Sequence, residues 1–159
     1  MTRFETINEL KTYFKPYELV DKITYDKYGN ESWQFFHTDL LKSLLIIRKG
    51  LGKSITINDW YWGGHINWKG EREEYDERGI RHNISPIVKN KTTLYLSGHV
   101  LGMALDFDVK GMTAEEVRAW IVKNANLFPC KIRLEDGVTW CHLDVKETST
   151  NPKVYLFNV

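Results

Sequence analysis

Three residues of this sequence have the types and spacing to share a metal ion: His99, Asp106 and His142. Residues 103–109 alternate so that Met103, Leu105, Phe107 and Val109 fall on one face of a strand, with Ala104, Asp106 and Asp108 on the other. Residues 138–145 repeat the pattern, with Thr139, Cys141, Leu143 and Val145 on one face and Val138, Trp140, His142 and Asp144 opposite. If the two strands share a sheet, Asp106 and His142 point into a common groove on the side away from the core. His99, in the Ser97-Gly98-His99 turn, then folds over the mouth of that groove. Two imidazoles and a carboxylate leave a zinc ion one open position for water, which is the catalytic form of such a site; a structural site is closed by a fourth protein ligand. A strand histidine is ordinarily a packed or solvated residue, and His-x6-Asp arises by chance, so local sequence detail has to carry the assignment.

The elements that would position these residues can be read from patterning. Residues 8–19, interrupted by Pro16, read as one or two short helices. Residues 31–49 read as a longer one, with Trp33, Phe36, Leu40, Leu41, Leu44, Leu45 and Ile47 at helical spacing and Gly50 and Gly52 as stop signals. Residues 54–58 alternate and are β-branched, which predicts a strand. Residues 59–91 are rich in Trp, Gly, Arg and His without a clean period, and a connector of that length inside a compact domain is functional or disordered. Its aromatics favour function. Strands are predicted over 93–96 and 103–109, and Thr113-Ala114-Glu115-Glu116 is a capping box opening a helix to about residue 126. Strands over 130–134 and 138–145 flank a Glu135-Asp136-Gly137 turn, and 153–157 adds an edge strand. The class is α+β, with N-terminal helices packed on a mostly antiparallel sheet.

The totals set limits on function. A chain of 159 residues suits one domain spanning 1–159. Its 22 basic and 21 acidic residues nearly cancel and form no block of like charge, which argues against nucleic acid or an anionic membrane as the main partner. No stretch approaches the roughly 20 apolar residues of a membrane span, and Met1-Thr2-Arg3-Phe4-Glu5 leads into a polar helical pattern rather than a signal core, so the protein is expected to begin in a cytoplasm. Cys130 and Cys141 could pair, but two cysteines are not a scaffold.

The stretch from Ser97 to Asp106 fits the Ser-x-His-x-x-Gly-x-Ala-x-Asp signature and resembles the hedgehog/D-Ala-D-Ala peptidase group. In that motif the glycine and alanine, here Gly102 and Ala104, let the backbone pass close beneath the metal. Trp140-Cys141-His142-Leu143-Asp144 is similar to the aromatic-x-His-x-Asp segment that supplies the last ligand in the peptidase M15 branch, and residues 48–58 look like its helix-to-strand entry. The resemblance spans residues 40–145. It implies a zinc peptidase fold with His99, Asp106 and His142 as ligands, whose best-known members cut D-Ala-D-Ala or L-Ala-D-Glu bonds in bacterial cell-wall peptides.

The chain also departs from that pattern. Many members carry a catalytic carboxylate three residues before the last histidine, where this sequence has Thr139; others use His-x-His, and Trp140 stands there instead. Glu135 and Asp136, in the turn before the His142 strand, are the candidate bases, with Asp144 a further candidate or else a carboxylate that orients a ligand. The Ser-Gly-Tyr-Arg segment of the family, whose Arg binds a substrate carboxylate, is replaced by Asp59-Trp60-Tyr61-Trp62-Gly63-Gly64. Arg81 is the alternative for that role, since a guanidinium fork suits a carboxylate, and Trp60, Trp62 and Trp68 are candidates to wall a groove for a sugar or peptide. His65 and His82 read as loop residues. The implied activity is zinc-dependent hydrolysis of peptidoglycan stem peptides or cross-links, as a D,D-carboxypeptidase or endopeptidase, in a phage lysis or virion-associated protein or a cytoplasmic protein of phage origin. The rival is a non-catalytic binding or virion module that keeps the metal, and the residue at Thr139 is its best support.

Overall fold

The structure is a computed structural model that describes residues 1–159. Helix α1 (Arg3–Leu10) opens on a capping box, in which Thr2 Oγ1 accepts from the Glu5 N–H and the Glu5 carboxylate accepts from the Thr2 N–H. A turn of 3₁₀ helix at Pro16–Glu18 and helix α2 (Lys22–Tyr28), capped by Asp21, complete the N-terminal layer. The single long helix expected over 31–49 is instead two pieces: a 3₁₀ segment, Gly29–Phe35, and helix α3 (Thr38–Leu51). The physical cause lies at the junction. Phe36 is extended and buried, and His37 spends its N–H on the Gly102 carbonyl (2.8 Å) while its Nδ1 accepts from Asp39 N–H at the head of α3. A long-range contact with the loop that precedes Ala104 thus replaces an intrahelical bond.

After α3 come β1 (Ile55–Thr56), the hairpin of β2 (His65–Ile66) and β3 (Arg72–Glu73), β4 (Ala104–Val109), and α4 (Ala114–Lys123) with its Thr113/Glu116 capping box. Strands β5 (Ile132–Glu135), β6 (Cys141–Asp144) and β7 (Val154–Phe157) follow. The larger sheet has the order β1-β4-β6-β5-β7, antiparallel at every junction except β5–β7, which is parallel. The fold is therefore α+β with a mixed sheet of five strands and a separate two-stranded sheet. One cluster of 24 buried apolar residues joins α1, α3 and α4 to the inner sheet face, where Leu105, Phe107, Ile132, Leu134 and Leu143 lie. No helix is long and apolar enough to cross a membrane.

Other expectations need correction. Residues 93–96 form no strand, and Leu94 and Leu96 are exposed. The edge of β4 that such a strand would need is occupied, because Asp106 N–H donates to the Arg78 carbonyl at 2.7 Å and β1 pairs with Asp108 and Val109. Glu135 closes β5 rather than sitting in the turn after it, and Cys130 precedes that strand. Both cysteines are free thiols.

Candidate metal centre

Strand register builds the site. The β4–β6 pairing sets Asp106 opposite His142, and the β5–β6 pairing sets Arg133 opposite Asp144 and Leu134 opposite Leu143. One further step in that register puts Glu135 across from His142, and the parallel pairing places Phe157 beside Glu135. Asp106, His142, Glu135 and Phe157 thus form one row on the outer face, with Ala104, Asp144, Arg133 and Tyr155 as the row below. Neighbours across a pair have Cβ atoms about 4.5–5.5 Å apart, close enough for side chains to share a ligand.

His99 reaches this face from the preceding loop. A carbonyl only accepts, so the 2.8 Å contact of His99 Nδ1 with Gly79 O fixes the proton on Nδ1 and leaves Nε2 pointing at Asp106 Oδ2, 3.3 Å away. The loop can lie this low because Gly98 packs on Ala104: a Cβ at Gly98 would stand 2.8 Å from the Ala104 Cβ and 3.4 Å from that of Asp144. Gly102 does a different job from the one expected of it. It has φ +65°, and a Cβ there would meet the Phe35 carbonyl oxygen at 1.8 Å, so it allows the loop to dock on the helical layer rather than pass beneath the metal.

His142 lies between two carboxylates, with Nδ1 2.7 Å from Asp106 Oδ1 and Nε2 3.1 Å from Asp144 Oδ2. Burial alone would lower its pKa, but the hydrogen bonds to Asp106 and Asp144 win and push it up to about 9. Burial by itself would raise Asp106, whereas the bonds from His142 and His99 hold its carboxyl well below the usual range. Asp144 shows the same contest, with His142 and Arg133 keeping it ionised.

Asp144 is 1% exposed, and both of its oxygens are engaged. Arg133 Nε and Nη2 each donate to it at 2.8 Å, and Lys146 N–H adds a third bond. That arrangement holds His142 in place and offers nothing to a substrate, which fits the orienting role of a carboxylate behind a ligand.

The His99, Asp106 and His142 ligand atoms all lie within 4.8 Å of one another. A tetrahedral zinc ion with bonds of about 2.0–2.1 Å sets its ligand atoms roughly 3.3 Å apart, so the His99 Nε2 to Asp106 Oδ2 spacing already matches. Two nitrogen donors and a carboxylate suit several first-row metals, zinc and iron among them.

A cavity of about 350 Å³ opens over these ligands, and Arg81, Glu135, Trp140 and Phe157 line it. Arg81 Nε donates to the Glu77 carbonyl, and Nη2 lies 3.4 Å from Asp106 Oδ2. A second groove, of about 770 Å³, begins at Asp106 and runs to His65 and Trp68, with Thr139 and Trp140 on its wall. Of the residues expected to wall a substrate groove, Trp60 is turned inward, its indole N–H donating to the Val20 carbonyl at 2.8 Å. Trp62 faces a neighbouring depression with His65 and Asp108, away from the three ligands. Asp136 stays in the turn, where it accepts from Gly137 N–H, while His65 pairs with Asp59 and His82 with Asp21.

Sequence reasoning missed Arg133 and the Gly79 carbonyl. Arg133 shares the two-residue period of Glu135 and could have been placed on the site face; the carbonyl leaves no side-chain signal. No family model, curated protein or solved structure matches the chain, and the group formed by His99, Asp106 and His142, able to hold a metal ion, stands on its geometry alone.

Proposed function

We propose that this chain is a zinc metallopeptidase of the hedgehog/D-Ala-D-Ala peptidase type, hydrolysing peptide bonds in peptidoglycan stem peptides or cross-links as a phage lysis or virion-associated enzyme or a cytoplasmic protein of phage origin. The observation that carries the reading is the convergence of His99, Asp106 and His142 within 4.8 Å, with Glu135 lining the same cavity. The donor set admits zinc, and the Ser97-to-Asp106 motif favours it over iron. Bound there, zinc supplies Lewis acidity toward water and toward the scissile carbonyl.

The remaining work falls to this chain. Glu135, next to His142 in the strand row, takes a proton from the attacking water and passes it to the departing amine as the C–N bond breaks, giving a carboxylate and an amine. Arg81 has donors left over from its bonds to Glu77 and Asp106, and these can anchor a substrate carbonyl or carboxylate. Asp144, clamped by Arg133, keeps His142 from turning. Trp140 and Phe157 wall the cavity and limit water around the reacting bond.

The test combines metal analysis of protein purified without chelator with digestion of purified peptidoglycan, read as newly formed amines. One zinc per chain and new amines are expected. Protein that sediments with the wall and releases no amine would return the chain to the non-catalytic module, and a chain carrying iron would refute the hydrolytic zinc centre.

A further inference from the structure

The groove that starts at Asp106 and follows the β2–β3 hairpin takes no part in the chemistry above, yet it is larger than the cavity over the ligands. Its tip is aromatic and bare, and its walls carry half-buried aromatic rings. Trp68 is 89% exposed at the hairpin end, with Lys69 Nζ 5.2 Å from its ring, and Ile66, Tyr75 and Trp140 line the stretch back toward Asp106. Exposed apolar surface of this kind, rimmed by polar groups, marks a place where something binds.

The rim is pre-arranged. Asn67 is fully used in holding the hairpin: its Oδ1 accepts from the Lys69 and Glu71 N–H groups, and its amide nitrogen donates to Glu73 Oε1 at 2.8 Å and to Glu71 Oε2 at 3.3 Å. Tyr75 Oη–H donates to Glu73 Oε2, and His65 Nδ1 is 2.7 Å from Asp59 Oδ2. Each Glu73 oxygen retains a lone pair for a further donor.

Charge narrows the ligand. The single arginine on the lining, Arg78, stacks on Tyr75 at 3.9 Å and is spent on Asp108 at 2.6 Å. Asp108 is neutralised by Arg78 and Asp106 is engaged by His99, His142 and Arg81, so no arginine or lysine on the lining is left free for an anion and Glu73 adds a negative charge, which disfavours phosphates, nucleic acid and other anions. A peptide has little strand edge to add to here, because β2 and β3 are two residues each and are paired to one another. An exposed indole beside a carboxylate with free lone pairs fits a neutral ring that has an apolar C–H face for the one and hydroxyl donors for the other. That is a pyranose.

We propose that this groove is a saccharide-binding subsite, with Trp68 as the stacking platform and Glu73 as the hydroxyl partner. Resting on the peptidase reading, the substrate is then a stem peptide still attached to its glycan strand: the sugar lies along the hairpin and the peptide crosses Asp106 into the metal cavity. Asp106 and Trp140 line both spaces, so the groove and the metal cavity adjoin.

The test uses the full-length, metal-loaded protein and a peptide-free probe, the β-1,4-linked N-acetylglucosamine tetrasaccharide, followed by titration calorimetry. Having no peptide bond, the probe reports on the groove whether or not the chain is a peptidase. Saturable binding is expected, and Trp68→Ala should weaken it about tenfold, the scale of one lost aromatic contact. Trp68 is so exposed that its removal leaves the fold intact, which unchanged circular dichroism and metal content would document. In digestion, the preference for glycan-linked over glycan-free stem peptide should fall in the same variant. Absence of tetrasaccharide binding, binding indifferent to Trp68, or saturation by a free stem peptide that depends on Trp68 would overturn the saccharide site. Tetrasaccharide binding that depends on Trp68, in protein that cuts no wall peptide, would uphold the saccharide site while removing the peptidase reading.

Discussion

The outer face of the sheet and the 59–91 segment both border Asp106, but they hold their side chains by different means. On the sheet, backbone register fixes Asp106, His142 and Glu135 in one row, and the core behind them is packed with Leu105, Phe107 and Leu143. In the segment, position depends on local polar contacts: Asp59 receives Tyr75 N–H and His65, Asn58 receives Arg78 N–H, and Gly79 touches the Leu19 carbonyl so closely that a Cβ would lie 1.8 Å from it. On the proposed reading, chemistry that needs sub-ångström placement would sit on the sheet, and recognition would fall to the segment. The difference predicts that damage to the sheet row destroys the metal centre, while damage to the segment changes only what is bound.

The largest effect should follow His142→Ala. Removing one of three ligands should cost most of the zinc and, with it, turnover, whereas Trp68→Ala should keep a full complement of metal. At free zinc 100-fold above Kd, binding stabilises the native state by about 2.7 kcal/mol, so the loaded wild type should melt well above the His142→Ala protein. Asp144→Asn, which loosens the hold on His142 without removing a ligand, should weaken zinc affinity by roughly 10–100-fold. Metal content by mass spectrometry checks both, and equal zinc in wild type and His142→Ala would break the assignment at its root.

Next in size is Glu135→Gln. It keeps the strand, the row and the metal but removes the carboxylate, so the rate on wall peptides should drop about 100-fold with zinc content and melting temperature preserved. Full activity in that protein would transfer the proton shuttle to another group. Asp144 is a poor alternative because its two oxygens are already taken by Arg133, His142 and Lys146.

The same contrast explains what could be read from the sequence. The outward placement of Asp106 and His142 follows from a period of two, and the Thr113 capping box announced α4, because both signals are local. The break at Phe36 and His37 was invisible: the apolar spacing runs on helically, and contacts distant in sequence end it, His37 N–H with the Gly102 carbonyl and the Arg3 guanidinium with the Trp33 and Phe36 carbonyls. The parallel pairing of β7 with β5, and the Arg133–Asp144 ion pair, likewise depend on which strands become neighbours. Trp60 and Trp62 look equivalent in sequence, yet one donates its indole N–H to the Val20 carbonyl and the other is 57% exposed.

A smaller effect is expected where the two regions meet. Arg81 belongs to the segment but touches Asp106, and its N–H donates to the His99 carbonyl. Arg81→Ala should raise KM for wall peptides about tenfold, in line with one lost charge-assisted contact, with zinc content at the wild-type level. A loss of zinc would mean that Arg81 belongs with the sheet row, and unchanged kinetics would return it to a surface role.

The last effect leaves activity aside: a dependence of stability on pH that should differ between metal-free and metal-loaded protein. In the metal-free fold His142 titrates at about 9, against about 6.5 for an unfolded histidine, because Asp106 and Asp144 hold its proton after outweighing the cost of burial. Between those values the native state carries a proton that the unfolded chain lacks, so folding takes up a proton and stability falls as pH rises. The contribution is complete below about 6.5 and gone once pH passes 9. Asp106 and Asp144, both held low, contribute stability that is present above the ordinary carboxylate range and lost only in acid, so they are constant across this window. A zinc ion held by His142 would displace that proton. The loaded protein then has no proton to lose, and its melting temperature should stay level from pH 6.5 to 9 while that of the chelator-treated protein declines by several degrees, on the scale of ~2–4 °C per kcal/mol for a chain of this length. Metal-free His142→Ala should not show the decline, which ties it to this residue. A metal-free wild type whose melting temperature is level or rising through the window would mean that His142 is not the protonated partner of Asp106, and the sheet row would lose the electrostatic pairing that sets it apart from the segment.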